Sequence, residues 1–153
     1  MDQRLSGLSV AWARLFFLYG EREHPARLVS SVARSLLAGE AAECSAGTQE
    51  RDFLHTNDVA DALIALVKSD LEGPINIGSG DAVSVRSVIE VVARVCGRPE
   101  LVRFGARPTP PGEPQLLVAD VSRLRNELNW RPSISLEDGV REVVNWWRIR
   151  RAA

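Results

Sequence analysis

The chain has 153 residues, 45% of them apolar and 25% charged, and a formal net charge of −1. That is the length of one ordinary domain with enough apolar side chain to bury a core, which excludes an intrinsically disordered chain. So balanced a charge also excludes an overall field drawing the protein to nucleic acid or an anionic membrane.

In chain order, the first apolar run is Leu8 to Leu18 (LSVAWARLFFL). Its apolar residues fall at both parities, which predicts one interior strand of a parallel sheet with both faces covered. Arg4 precedes the run, but Arg14 interrupts it and no small-residue cleavage site follows, so it reads as neither a secretory signal nor a membrane span. Pro25 suits the first turn of a helix carrying Leu28, Val29, Val32, Ala33, Leu36 and Leu37, with Gly39 as its stop. Residues 40 to 50 are small and polar, predicting a loop with at most one short strand, and Arg51 to His55 is a brief extended segment. Thr56 or Asn57 can cap the next helix, with Asp58 in its first turn and Val59, Leu63, Leu66 and Val67 on its apolar face. Ile75 to Ile77 form a short strand closed by Gly78-Ser79-Gly80. Ser84 caps a helix through Val85, Val88, Ile89, Val92 and Val95, and Gly97 ends it. Alternating strands and helices predict an α/β fold with parallel strands.

From residue 98 to 119 the prolines Pro99, Pro108, Pro110, Pro111 and Pro114 forbid long regular structure. A linker and a loop folded over a ligand both fit. Asp120 can cap a short helix to Leu128, and Ser135 with Asp138 forms a capping-box pattern before a last helix bearing Val140, Val143, Val144 and Trp147. The Arg148, Arg150 and Arg151 cluster suits the solvated C-terminal end of that helix. Cys44 and Cys96 are far apart and in no CxxC pair, which argues against a disulfide framework or a zinc site and for a reducing, cytoplasmic setting.

No dinucleotide fingerprint, P-loop, metal-ligand cluster or nucleophile elbow occurs, and His24 and His55 stand alone, so no catalytic residue is assigned. One feature carries chemistry. In Gly47-Thr48-Gln49-Glu50-Arg51-Asp52-Phe53 a guanidinium precedes an apolar strand and a capped helix. Arginine can grip a phosphate with two parallel hydrogen bonds. Equally, Arg51 can pair with Asp52, Asp58 or Asp61 and only staple the fold.

Four segments in order carry a resemblance: Arg14 to Gly20 (RLFFLYG), Arg51 to Ala60 (RDFLHTNDVA), Asn76 to Gly80 (NIGSG), and Asp120 to Arg123 with Leu128 to Pro132 (LNWRP). Together they resemble the extended short-chain dehydrogenase/reductase family, the NAD-dependent nucleotide-sugar epimerases, dehydratases and reductases. The resemblance implies a fold of the last strands of a Rossmann-type sheet plus a small, mostly helical substrate-binding lobe. Residues 1–153 would be a single C-terminal substrate-binding portion. It implies that Leu8 to Leu18 is the sixth sheet strand, that Phe16, Phe17, Leu18, Tyr19 and Gly20 line the nicotinamide and sugar pocket, and that Arg51 grips the substrate diphosphate. The family often has Asn, a substrate-holding residue, where this chain has Phe17. It usually has a second phosphate-binding arginine ahead of a Gly-Asp pair in the Pro-rich segment. Arg107, before Gly112-Glu113, is the nearby candidate, off register. Trp130 resembles an aromatic that packs the C-terminal helices.

The family's glycine-rich loop and its YxxxK pair have no match here; Tyr19 is the sole tyrosine and Lys68 the sole lysine. The expectation is therefore a substrate-binding part, truncated or split and inactive alone, of an enzyme that uses NAD or NADP. No cofactor is expected to bind this chain by itself. The expected partners are a nucleotide-sugar and either a second copy or a complementary Rossmann-half chain, with self-association of any bare strand. The alternative is a non-catalytic binding remnant.

Overall fold

The computed structural model describes residues 9–152, so Leu8 lies outside the described residues. Among the described residues five α-helices and nine short strands follow one another. The expected single strand is two: β1 (Ala11–Leu15) pairs in parallel with β6 (Gly73–Ile77), and β2 (Phe17–Tyr19) pairs in parallel with β5 (Phe53–His55). The change of partner is made within one peptide. Phe16 N–H donates to Ile77 O and Phe17 N–H to Asp52 O. Nor is β1 covered on both faces. Ala11 and Ala13 face the core, while Trp12 is 69% and Leu15 47% exposed.

Two further small sheets complete the strand system. β3 (Ala42–Glu43) pairs in parallel with β8 (Val102–Arg103). β4 (Glu50–Arg51) lies between β7 (Val83–Ser84), antiparallel, and β9 (Leu116–Leu117), parallel. The Pro-rich stretch thus holds one 3-10 turn (Pro99–Leu101) and two strands of two residues each.

The apolar periodicity of the helices is realised except at Val67, expected on the apolar face of its helix but 84% exposed at the helix end. Helices α1 (Leu28–Ala38), α3 (Val85–Cys96) and α5 (Leu136–Ala152) enclose one core, in which Ala33, Val88, Val92, Val140, Val143 and Val144 are fully buried. Each fully buried valine, isoleucine or leucine contributes roughly 1.5–3 kcal/mol. A second core joins β1, β5 and β6 to α2 (Thr56–Val67) and α4 (Ser122–Asn126), with Leu54, Ile75, Ile77, Leu124 and Trp130 inside. Trp130 belongs to this core and donates from Nε1 to Asp61. Trp146 and Trp147 are half-buried, edge to face with centroids 4.6 Å apart.

The starts of α1 and α2 differ from expectation, whereas the Ser84 cap, the Gly97 stop and the Ser135–Asp138 pair are as expected. Pro25 lies in the turn ahead of α1, which starts at Leu28 after Arg27. The cap of α2 is His55, whose Nδ1 accepts from Asn57 N–H, in place of Thr56 or Asn57. Ser84 caps α3 by accepting from Ser87 N–H, and Gly97 ends it at φ +72°, where a residue without Cβ is least strained. Asp120 accepts from Ser122 N–H and Oγ–H at the start of α4. Ser135 Oγ accepts from Asp138 N–H ahead of α5, and donates to the Asp138 carboxylate.

Candidate functional site

The RDFLHTND segment divides its charges between two tasks. Asp52 is fully buried, and its carboxylate accepts from Ser79 N–H and Oγ–H, Gly80 N–H and Ala119 N–H. Asp58 is also buried; it accepts from Ser133 N–H and Oγ–H and from Ile134 N–H, tying α2 to the turn before α5. Both are structural staples. A buried carboxylate is tolerated because several N–H groups replace its water. Gly78 is required beside this staple: a Cβ there would sit 2.6 Å from Asp52 Oδ2. Asn76 is structural too, donating from Nδ2 to Asp120 O.

Arg51 has none of the partners the sequence offered it. Its side chain is only 3% exposed; Nη1 donates to Glu50 O at 2.7 Å and Nη2 to Glu113 Oε1 at 2.8 Å. As part of the middle strand of three, its backbone is held on both sides. It borders a cavity of about 350 Å³, with an aromatic wall built by the β2–β5 pair. Phe17 stands opposite Phe53 with ring centroids 5.9 Å apart, Tyr19 meets Phe53 edge-on at 6.5 Å, and the Arg51 guanidinium lies 5.5 Å over the Phe17 ring.

Of the residues singled out in the sequence, Phe17, Leu18, Tyr19 and Arg51 come together at this cavity. Phe16 turns to the second core, and Gly20 is buried against Thr56, whose Oγ1 would collide with any added Cβ. Arg107 is absent from the lining residues; its exposed side chain lies 3.9 Å from Glu43. Sequence reasoning passed over Gln49, Glu23, Arg27 and Glu113, which also line the cavity. Gln49 Nε2 donates to Glu113 Oε2 at 3.4 Å, and its buried Oε1 has no partner. The signal for Glu113 was the Gly112-Glu113 pair, standing where the family has Gly-Asp.

Burial is the main influence on the shifted titratable groups in and around the cavity. Burial, with the carboxylates of Asp58, Glu142 and Asp138, pushes the Tyr19 hydroxyl well above its ordinary range. Burial raises the Cys44 thiol, and lifts Cys96 to about 11 against the opposing pull of Arg148, so neither is a ready nucleophile. Both cysteines are free. Burial also raises the Glu23 carboxyl, whose Oε1 accepts from Ser30 N–H. His55 is buried edge-on to Tyr19, with Nε2 3.5 Å from Glu142. No group of acidic, histidine or cysteine side chains suited to a metal occurs among the described residues, and no helix among them is long and apolar enough to cross a membrane.

The glycines of the described residues do not form a pyrophosphate cradle. The glycines after β6 are closed off: Gly78 abuts Asp52 and Ala119, and Gly80 abuts Val121 and Arg125. Among the described residues no open glycine turn leads from a strand into a helix N-terminus, the arrangement that cradles a pyrophosphate.

The family model described as GDP-mannose 4,6 dehydratase matches residues 3–143. UDP-glucuronic acid decarboxylase 1 of Arabidopsis thaliana is 31% identical over 150 residues, covering 96% of this chain and 34% of that protein. The UDP-glucose 4-epimerase of Thermotoga maritima, solved with UDP-glucose, superposes with a TM-score of 0.87 at 24% identity, over 97% of this chain and 48% of that one. The Thermus thermophilus UDP-glucose 4-epimerase, solved with NAD, gives a TM-score of 0.83 at 27% identity, over 95% and 48%. The chain thus spans from a third to just under half the length of these relatives. Its strands and helices are part of a Rossmann-type architecture, and the chain belongs to the NAD-dependent epimerase/dehydratase family of extended short-chain dehydrogenases/reductases.

Proposed function

We propose that this chain is the substrate-binding part of an NAD(P)-dependent nucleotide-sugar epimerase, dehydratase or reductase. Arg51 receives the diphosphate, and the Phe17–Tyr19 strand shapes the pocket beside it. The observation that carries this reading is the buried Arg51 guanidinium, fixed in a three-stranded sheet and bordering an aromatic-walled cavity of about 350 Å³. A fixed guanidinium in a partly desolvated site binds phosphate more strongly than one on a mobile surface chain.

The chain's share of the work is to hold and orient the activated sugar. Hydride transfer belongs to NAD or NADP, held by a complementary Rossmann half, and the chain is inactive without it. That half adds to the outer edge of β1 and covers the face bearing Trp12. The unpaired thiols support a reducing, cytoplasmic setting.

Calorimetry of the purified chain with UDP-glucose, UDP and NAD tests the reading. Saturable binding of UDP-glucose, weakened at least about tenfold (roughly 1.4 kcal/mol) by Arg51→Ala, is expected. Equal affinity of the two proteins would remove Arg51 from the site. Arg107→Ala, measured alongside, reports whether the 105–112 loop swings in to give a second phosphate contact.

A further inference from the structure

Glu113 fills the position that an anion would take. Its carboxylate lies 2.8 Å from Arg51 Nη2 and accepts from Gln49 Nε2 on its other oxygen, so it spans the two polar groups of the cavity wall. It arrives there from 62 residues away along the chain. Behind it, the backbone is fixed: Gln115 O accepts from Glu50 N–H at 2.7 Å, and β9 runs beside β4. In front of it, Arg107 to Gly112 are all exposed, and Gly112 holds φ +76° between Pro111 and Glu113. The carboxylate therefore sits where an anchored strand meets an exposed turn, with glycine as the pivot. Its own side chain is 27% exposed, whereas that of Arg51 is 3% exposed. Of the two partners, Glu113 is the one with a short way out to water.

We infer that Glu113 is an internal latch: its carboxylate holds the anion position on Arg51, and a ligand diphosphate must displace it toward solvent to bind. The latch rests on the assignment of Arg51 to the diphosphate. It adds that the cavity is self-neutralised while the latch is closed, so that uncharged or weakly charged ligands do not enter and an anion binds by exchange. A carboxylate brings one negative charge and two oxygens to the guanidinium. A diphosphate brings more of both, so the exchange runs toward the ligand. While the latch is closed, the apparent affinity is lowered by the fraction of molecules in which Arg51 is open.

The opposite role is as specific. If Glu113 only orients Arg51, removing its charge disorders the guanidinium and weakens binding. Calorimetry of the wild type and of Glu113→Gln with UDP-glucose, and with inorganic pyrophosphate as the minimal anion, separates the two. The latch predicts that Glu113→Gln binds both ligands about tenfold tighter, the gain expected if about one molecule in ten is open in the wild type. Glu113→Asp keeps the charge but shortens the reach by one methylene, and should bind tighter than wild type by a smaller factor. It also serves if Glu113→Gln fails the circular-dichroism check for folding. Wild-type binding with no gain, or a loss, in the folded variants overturns the latch and leaves the diphosphate reading standing. Absence of binding in every folded protein, Arg51→Ala included, removes both.

Discussion

The helical core and the strand layer are built on different principles. Around α1, α3 and α5, valines and alanines close on one another, and the buried polar side chain of these helices is Ser30, which accepts from Trp147 Nε1–H. Around β1, β5 and β6 the apolar set is smaller and one face ends on Trp12 and Leu15, exposed to solvent. Here carboxylates do much of the tying: buried Asp52 gathers the chain after β6 and before α4, buried Asp58 gathers the turn before α5, and Asp61, exposed, holds Trp130. A layer without enough apolar cover to close itself is held by directional bonds, which fix geometry but fail abruptly when one partner is removed.

That contrast can be broken in three places. The largest effect is expected at Asp52→Ala, which strands three backbone N–H groups, that of Ala119 buried and those of Ser79 and Gly80 partly buried. Urea denaturation should show a loss of about 4 kcal/mol, and a loss below about 1 kcal/mol would mean that the strand layer does not lean on its staples. Next comes a matched pair of fully buried isoleucines. Ile89→Ala in the closed helical core should cost about 3–4 kcal/mol, and Ile75→Ala in the open strand layer about 2, because a layer with a free face collapses more readily around the gap. Equal costs would make the two cores alike. The smallest effect on stability belongs to Trp12→Lys, within about 0.5 kcal/mol of wild type. The same change should shift the protein toward monomer in light scattering, since a charge on an exposed strand blocks edge pairing. No change in association would free β1 from any docking role.

The same contrast marks what the sequence disclosed. Helical faces in α1, α3 and α5, the Ser84 cap and the Gly97 stop were legible because each is decided by residues within a turn or two of one another. Arg51 was legible as a charge in an unusual setting, but its partner was not: the acids near it in sequence, Asp52 and Asp58, are consumed by backbone N–H groups, and Glu113 is brought in by β9. Strands of two residues such as β3, β8 and β9 have no pattern of their own and exist only because a distant strand lies beside them. The division of the first strand was hidden for a related reason. Apolar residues at both parities are compatible with one strand between two helical layers or with two strands facing different neighbours, and only long-range pairing separates these.

The hand-over between Phe16 and Phe17 has a mechanical consequence. Successive amides are pinned to two different strands, Phe16 to Ile77 and Phe17 to Asp52. If β1 peels away from β6, the unzipping halts at that peptide, because the next bond belongs to β5. Fraying upstream is not transmitted to Phe17, Tyr19 or the Arg51 wall they face. A change of neighbour at β1, such as the docking of another strand on its outer edge, can thus leave the pocket's shape intact.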